Sequence, residues 1–288
     1  MNTSALEVIG LEKTYKKFKL GPVNFTLEKG TVVALLGGNG SGKSTFFRLL
    51  MHILQAEAGT VHVLGQDMNE HETDVKRRIG FIGDMFEPFS FLKIKELADL
   101  ISHWYPTWDN ERYVQLLSRY QLDEDERYGK CSKGTKKKVE FVFSICHHPE
   151  ILLLDEPSAH VDIVSQRKIK EDLIQYMEDG ERSVVIATHN MDDVRQICDY
   201  VSVLDKGKII YSFEKDEIHE NWATVWISDL PNYLKDHPTI VRINSMGNKS
   251  LQVITDNFPR FENELLKNHI TINHVGKLSL DEIIEYLI

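Results

Sequence analysis

Gly37-Gly38-Asn39-Gly40-Ser41-Gly42-Lys43-Ser44-Thr45 decides how this chain is read. The stretch fits G-x-x-x-x-G-K-[ST], in which glycines let backbone N–H groups turn inward around phosphate oxygens. It follows the apolar run Val32-Val33-Ala34-Leu35-Leu36 and precedes Phe46-Phe47-Arg48-Leu49-Leu50-Met51. The order predicts a strand, a glycine turn and a helix N-terminus, whose dipole adds partial positive charge at the turn. Lys43 is placed to reach the β- and γ-phosphates of a nucleotide, and Ser44 can offer its hydroxyl to Mg²⁺.

Outward from that loop, residues 6–30 alternate apolar and polar groups, with breaks at Gly10, Gly21-Pro22 and Glu28-Lys29-Gly30. This predicts an antiparallel β-layer leading into the loop's strand. Tyr15, within the layer, is an aromatic that could stack on a base. On the other side, residues 59–65 read as a strand with a turn, and Ile79-Gly80-Phe81-Ile82-Gly83-Asp84 as a strand ending in a carboxylate. From about 88 to 148 helical periodicity takes over, in residues 94–101 and 113–117 with Pro106 between them. This is a helical insertion in an α/β frame.

The frame resumes at Ile151-Leu152-Leu153-Leu154-Asp155-Glu156-Pro157. A continuous apolar run suits a parallel strand buried on both faces, and ligands bind at the carboxyl ends of such strands. Asp155 could hold Mg²⁺ through water, while Glu156 could orient or deprotonate an attacking water. Ser183-Val184-Val185-Ile186-Ala187-Thr188-His189 repeats the pattern, bringing His189 to the same sheet edge. His147-His148 stand before Pro149 at a predicted helix end, where imidazolium suits the dipole. Residues 200–213 read as a hairpin turning at Asp205-Lys206-Gly207. Beyond a boundary near 220 lies a smaller α+β piece, 221–288. It has a hairpin around Ser245-Met246-Gly247-Asn248, a helix near 261–267 and a last helix over 279–287.

Composition fits this plan. The 288 residues are 42% hydrophobic and 27% charged, enough for one large core and an appendage. No run approaches the roughly 20 apolar residues that span a bilayer, and the first residues lack the basic and apolar regions of a signal peptide. Cys131, Cys146 and Cys198 lie far apart, without CxxC spacing, and read as free thiols in a reducing compartment. A net charge of −10, from 34 basic and 44 acidic residues, argues against broad phosphate-backbone binding, so no nucleic-acid partner is expected. The lysines 136–138 read as a helix's first turn beside bound phosphate, otherwise solvated.

Cys131-Ser132-Lys133-Gly134-Thr135-Lys136-Lys137-Lys138, shortly before the Asp155-Glu156 strand, completes the set. With it, residues 6–215 resemble the nucleotide-binding subunit of an ABC transporter, a P-loop NTPase fold. The resemblance implies that Tyr15 stacks on adenine and that Gly37 through Thr45 form the Walker A loop. It puts Asp84 at the Q-loop position, Ser132 and Gly134 in the signature, Asp155 and Glu156 in Walker B, Asp162 in the D-loop, and His189 as the switch histidine. It implies ATP and Mg²⁺ as ligands, with Ser44, Asp84 and Asp155 facing the metal and Glu156, His189 and Lys43 acting in hydrolysis. It further implies a head-to-tail dimer, homo- or heteromeric, in which each signature completes the partner's site, a separate multi-span membrane permease, and a peripheral place for this chain at the cytoplasmic face of the cell membrane.

Several departures mark this chain. Asp84 stands where the family has glutamine, the family's LSGGQ is here Cys131-Ser132-Lys133-Gly134-Thr135 with Ser132 and Gly134 kept, and His160 takes a small-residue place in the D-loop. Within the family, Tyr105-Pro106-Thr107-Trp108-Asp109, the lysine-rich signature and the C-terminal piece are similar to ATPases of ABC-2-type exporters of bacitracin-like antibiotics and peptide toxins. Phe86, Phe89, Phe91 and Leu92 then suggest a docking surface for the permease. The competing class is a soluble ABC mechanoprotein acting on nucleic acid or the ribosome, which would carry a second cassette or a long coiled-coil insert.

Overall fold

The computed structural model describes residues 4–246 and 250–287. Two compact units divide the chain, Met1–Ser212 and Phe213–Ile288. In the first, β1 (Ser4–Tyr15) and β2 (Phe18–Glu28) pair antiparallel, as the alternation requires. β3 (Val32–Leu36) leads through the glycine turn into α1 (Lys43–Leu50). β4 (Ala58–Val63) returns to pair with β1, and β5 (Gln66–Asp67) completes the layer in the order β2-β1-β4-β5. α2 (Glu72–Arg77) and β6 (Ile79–Ile82) follow. The insertion then contributes α3 (Ile94–Ser102), α4 (Asn110–Tyr120) and α5 (Lys133–Ile145). After it come β7 (Ile151–Asp155), α6 (Ile163–Met177), β8 (Ser183–Ala187), α7 (Met191–Ile197), β9 (Tyr200–Asp205) and β10 (Lys208–Glu214).

The main sheet runs β10-β9-β3-β8-β7-β6. β9, β3, β8, β7 and β6 are mutually parallel, so their carboxyl ends open on one edge. That register brings the ends of four strands, distant in sequence, to one place. β3 and β8 are buried along their whole length, which is why both lack polar alternation. α1 is seated by Phe46 and Phe47, each fully buried, with Phe46 edge-on to Phe25 of β2 at 5.6 Å. Each such phenylalanine contributes about 1.5–3 kcal/mol of burial, so the helix carrying Lys43 and Ser44 is firmly anchored.

The second unit adds α8 (Ile218–Asn221), β11 (Ala223–Ile227), β12 (Ile240–Ser245), β13 (Leu251–Thr255), α9 (Phe258–Lys267), β14 (Ile272–Lys277) and α10 (Leu280–Leu287). Its sheet, β12-β13-β11-β14, packs around Val225, Ile227, Val253, Phe261 and Leu265. Gly247 and Asn248 of the expected hairpin turn lie outside the described residues, although β12 and β13 pair antiparallel on either side of them. Trp222 is buried and Trp226 half-buried, its ring centroid 5.0 Å from that of His274 with the planes tilted by 44°.

Two expectations need correction. His147 is 2% exposed and carries no imidazolium: burial pushes its pKa down to about 4, and its Nε2 lies 3.1 Å from the Ile79 carbonyl, which requires a proton on that nitrogen. Only His148 reaches a carboxylate, Asp109 at 3.0 Å. Nor are the three lysines solvated. Lys136 pairs with Glu87 at 2.7 Å, Lys137 with Asp84 at 3.1 Å and Lys138 with Asp162 at 3.8 Å.

Candidate functional site

The turn between β3 and α1 holds Lys43 buried, its Nζ donating to the Gly37 carbonyl at 2.6 Å. Burial lowers the Lys43 pKa, against the opposing pull of Glu156 and Asp155. Both carboxylates therefore lie close enough to act on this ammonium. Ser41 is 5% exposed, and its Oγ has no hydrogen-bond partner among the described residues. A buried hydroxyl without a partner costs about 1–3 kcal/mol, so a ligand oxygen there is favoured. Gly38, Asn39 and Gly40 remain open to solvent to different degrees. Gly42 has φ +113, and a Cβ on it would meet the Phe18 ring at 2.7 Å. Phe18, which sequence reasoning passed over, therefore backs the loop. Tyr15 sits nearby on β1, exposed, with its ring 6.4 Å from that of Phe18.

Ser44, Asp84, Asp155 and Glu156 line one cavity of about 430 Å³. Lys133, Lys136 and Lys137 of α5 line it too, together with Glu87 and His160. His189 joins through Glu156: its Nε2 is 2.7 Å from Glu156 Oε1. Thr45 follows Ser44 in the first turn of α1. Asp84, Glu156 and His160 all have positive φ, at 55°, 53° and 61°. For residues with a Cβ this conformation costs roughly 1–2 kcal/mol each, and such strain clusters at functional sites.

Tyr15, Ser132, Gly134 and Asp162 do not line that cavity. Ser132 caps α5, its Oγ accepting from Thr135 N at 3.1 Å while the residue stays exposed. Gly134 is buried, and a Cβ there would sit 2.3 Å from the His160 carbonyl oxygen. The turn carrying Ser132 is thus pressed against the 158–162 segment of its own chain. Asp162 caps α6 by accepting from Ser165 N at 2.9 Å, and that hydrogen bond holds its pKa low.

Behind the cavity lies a group that no motif announced. Asp193, 2% exposed on α7, accepts from Ser158 Oγ at 3.0 Å and Thr188 Oγ1 at 3.2 Å, and its other oxygen accepts from Asn190 Nδ2 at 3.2 Å. One buried carboxylate therefore joins the segment after Glu156 to the loop bearing His189. Lys137 was likewise read only as part of a charge run, yet burial works against its ammonium while Glu140, Asp84 and Asp155 hold its pKa above the ordinary value.

Comparison with known proteins agrees with this geometry. Residues 20–159 match the family described as ABC transporter. The ABC transporter ATP-binding protein NatA of Bacillus subtilis is 31% identical over 69% of this chain and 83% of its own. The ATP-binding protein YtrB of the same organism is 29% identical over 72% of this chain and 70% of its own. The daunorubicin resistance ATP-binding protein DrrA3 of Streptomyces coeruleorubidus is 30% identical over 76% and 71%. Among solved structures, the ATP-binding subunit of an ABC transporter superposes with a TM-score of 0.68 at 23% identity, covering 75% of this chain and 92% of that one. A dimeric cassette bound to ADP and Pi gives 0.64 at 22%, covering 73% and 98%. This chain belongs to the ABC transporter family, as an ATP-binding subunit.

Proposed function

We propose that this chain drives an exporter, two copies closing head to tail around two Mg²⁺-bound ATP molecules while a separate membrane permease docks on each. The observation that carries the catalytic part is the cavity that gathers Ser44, Asp84, Asp155 and Glu156, with His189 held on Glu156. Its donors, one hydroxyl and carboxylates, are the hard oxygens that suit Mg²⁺, and phosphate oxygens complete the shell. Ser44 and Asp155 would hold the metal, with Asp84 facing it. Bound there, Mg²⁺ neutralises charge on the β- and γ-phosphates.

The chain's own groups do the remaining work. Lys43 exchanges its contact with the Gly37 carbonyl for phosphate oxygens, and Ser41 Oγ acquires an acceptor. Glu156 accepts the proton of the attacking water, with His189 fixing that carboxylate and presenting its ring toward the γ-phosphate. Lys133 and Ser132, both exposed, are available to a partner subunit's nucleotide. Tyr15, exposed at 42%, is available to adenine.

For the permease, a cleft of about 210 Å³ lies between Met85, Phe86, Ile101, Trp104 and Tyr105, within reach of the Asp84 loop. Trp104 is 63% exposed and Phe91 67%, while Phe86 is half-buried against Tyr128 and Phe143 and belongs to the cleft floor. An apolar cleft beside the nucleotide cavity supports a reading in which hydrolysis moves a docked membrane partner. Among the described residues no helix is long and apolar enough to cross a membrane. Export rests on the likeness of the 105–109 stretch and the lysine-rich signature to exporter ATPases, alongside the resistance protein among the relatives. Pull-down from solubilised membranes tests the whole: it should recover a multi-span partner, and recovery of only ribosomes or DNA would defeat the reading.

A further inference from the structure

Asp84 is gripped from two directions by α5. Lys137 Nζ donates to Asp84 Oδ1 at 3.1 Å and to the Asp155 main-chain carbonyl at 3.2 Å. Glu140, 1% exposed, receives the Tyr128 hydroxyl at 2.8 Å, lies 3.5 Å from Lys137 Nζ and accepts from the Asp84 backbone. Buried Glu140 thus faces the lysine ammonium, and the same ammonium holds the Asp84 carboxylate. A second pair, Lys136 with Glu87 at 2.7 Å, pins the same segment to the same helix. The Lys137 side chain is only 13% exposed, so its ammonium has few alternatives to these partners. Both Lys137 and Asp84 line the cavity that also holds Ser44 and Asp155.

We infer that Lys137 is a positioning residue for the hydrolytic site, the internal counter-ion of Asp84, which competes with Mg²⁺ for that carboxylate. The Asp84 side chain is 67% exposed while that of Lys137 is 13% exposed, so the largely buried ammonium needs the carboxylate and neutralises it in turn. The ammonium does this from the helix whose first turn holds Ser132 and Gly134. A divalent ion at Asp84 then displaces Lys137 and loosens the tie between the 84–89 segment and α5. Metal arrival and movement of the signature helix become linked through one pair. The inference rests on the reading that Asp84 faces the metal, and its test separates the two.

Binding of a fluorescent ATP analogue to the full chain is followed while Mg²⁺ is titrated. Lys137→Met should lower the Mg²⁺ midpoint by about three- to tenfold, since the Asp84 carboxylate is released from its competing counter-ion. Lys137→Arg, which keeps the cation, should stay near the native midpoint. In an Asp84→Asn background, Lys137→Met should shift the midpoint far less, because release of the Asp84 carboxylate no longer contributes. An unchanged or raised midpoint in Lys137→Met, or an equal shift with and without Asp84, overturns the competition. Asp84→Asn alters an exposed side chain and stands even if Lys137→Met does not fold: it should raise the Mg²⁺ midpoint and increase labelling of Lys137 by an amine reagent. Unchanged labelling overturns the pair. Increased labelling with an unchanged midpoint overturns instead the reading of Asp84 as a metal-facing group, and the competition with it.

Discussion

His189 Nε2 lies 2.7 Å from Glu156 Oε1, although the two residues close different strands of the sheet. Glu156 holds positive φ at this position, and its backbone N–H is bound to the Ala187 carbonyl at 2.9 Å. The carboxylate is therefore oriented by both main chain and imidazole. A general base contributes about 10²–10⁴-fold to such a reaction. Glu156→Gln should lose turnover on that scale while ATP affinity is kept, and should collect as a dimer with ATP. Phosphate release and gel filtration read both, and native turnover in this variant removes Glu156 from the role of base.

Two glycine substitutions separate folding from ligand binding. Alanine at Gly134 puts a Cβ 2.3 Å from the His160 carbonyl, which is backbone and cannot swing aside. Overpacking of this kind costs about 1–3 kcal/mol, so Gly134→Ala should lower Tm by several degrees. Alanine at Gly38 meets no heavy atom within 4 Å. Gly38→Ala should leave Tm unchanged yet weaken ATP binding, because the new methyl enters the space of the phosphates. Calorimetry and nucleotide titration on the two proteins check this opposition.

The depressed pKa of His147, about 4 against an ordinary 6.5, makes stability pH-dependent. Between those values the unfolded chain binds the proton and the folded chain does not, so stability rises with pH across the window and is complete above 6.5. The full effect is on the order of 3 kcal/mol. Urea midpoints should fall from pH 6.5 toward pH 4.5 in the native chain, and this component should vanish in His147→Gln, which has no titratable ring. Equal slopes in both proteins would assign the acid sensitivity to other groups.

Asp193→Ala should strand the Ser158 and Thr188 hydroxyls and cost about 1–3 kcal/mol per unpaired group. Because these donors sit in the segments that follow Glu156 and carry His189, kcat should fall with KM for ATP nearly unchanged. Asp193→Asn, which keeps the shape and acceptor oxygen, should recover part of kcat. A parallel loss of ATP affinity would show that the substitution reaches the whole nucleotide site.

The glycine loop, the acidic pair at 155–156 and His189 were legible because each terminates an apolar strand, and parallel register then places them on one edge. What the chain order hid are contacts between distant segments. Asp84 reads as a shortened glutamine until Lys137 is seen beside it, 53 residues later. The lysine run looks solvated because its acids, Glu87, Asp84 and Asp162, belong to other elements. His147 and His148 are indistinguishable as letters, yet one is sealed beneath Tyr105, 4.0 Å between rings, and the other meets Asp109 at the surface. The left-handed backbone at Asp84, Glu156 and His160 leaves little trace in the sequence, since none is a glycine and only aspartate and histidine lean toward that region.

Ser158, Thr188, Asn190 and Asp193 are bound into one knot, and that bears on how such chains can be recombined. A graft that brought in only the 188–193 loop from a relative would deliver an acid whose donor at 158 had been chosen for another acceptor. The four positions must be exchanged together, so the unit that a protein engineer can transplant here follows the hydrogen bonds and ignores contiguity in the chain.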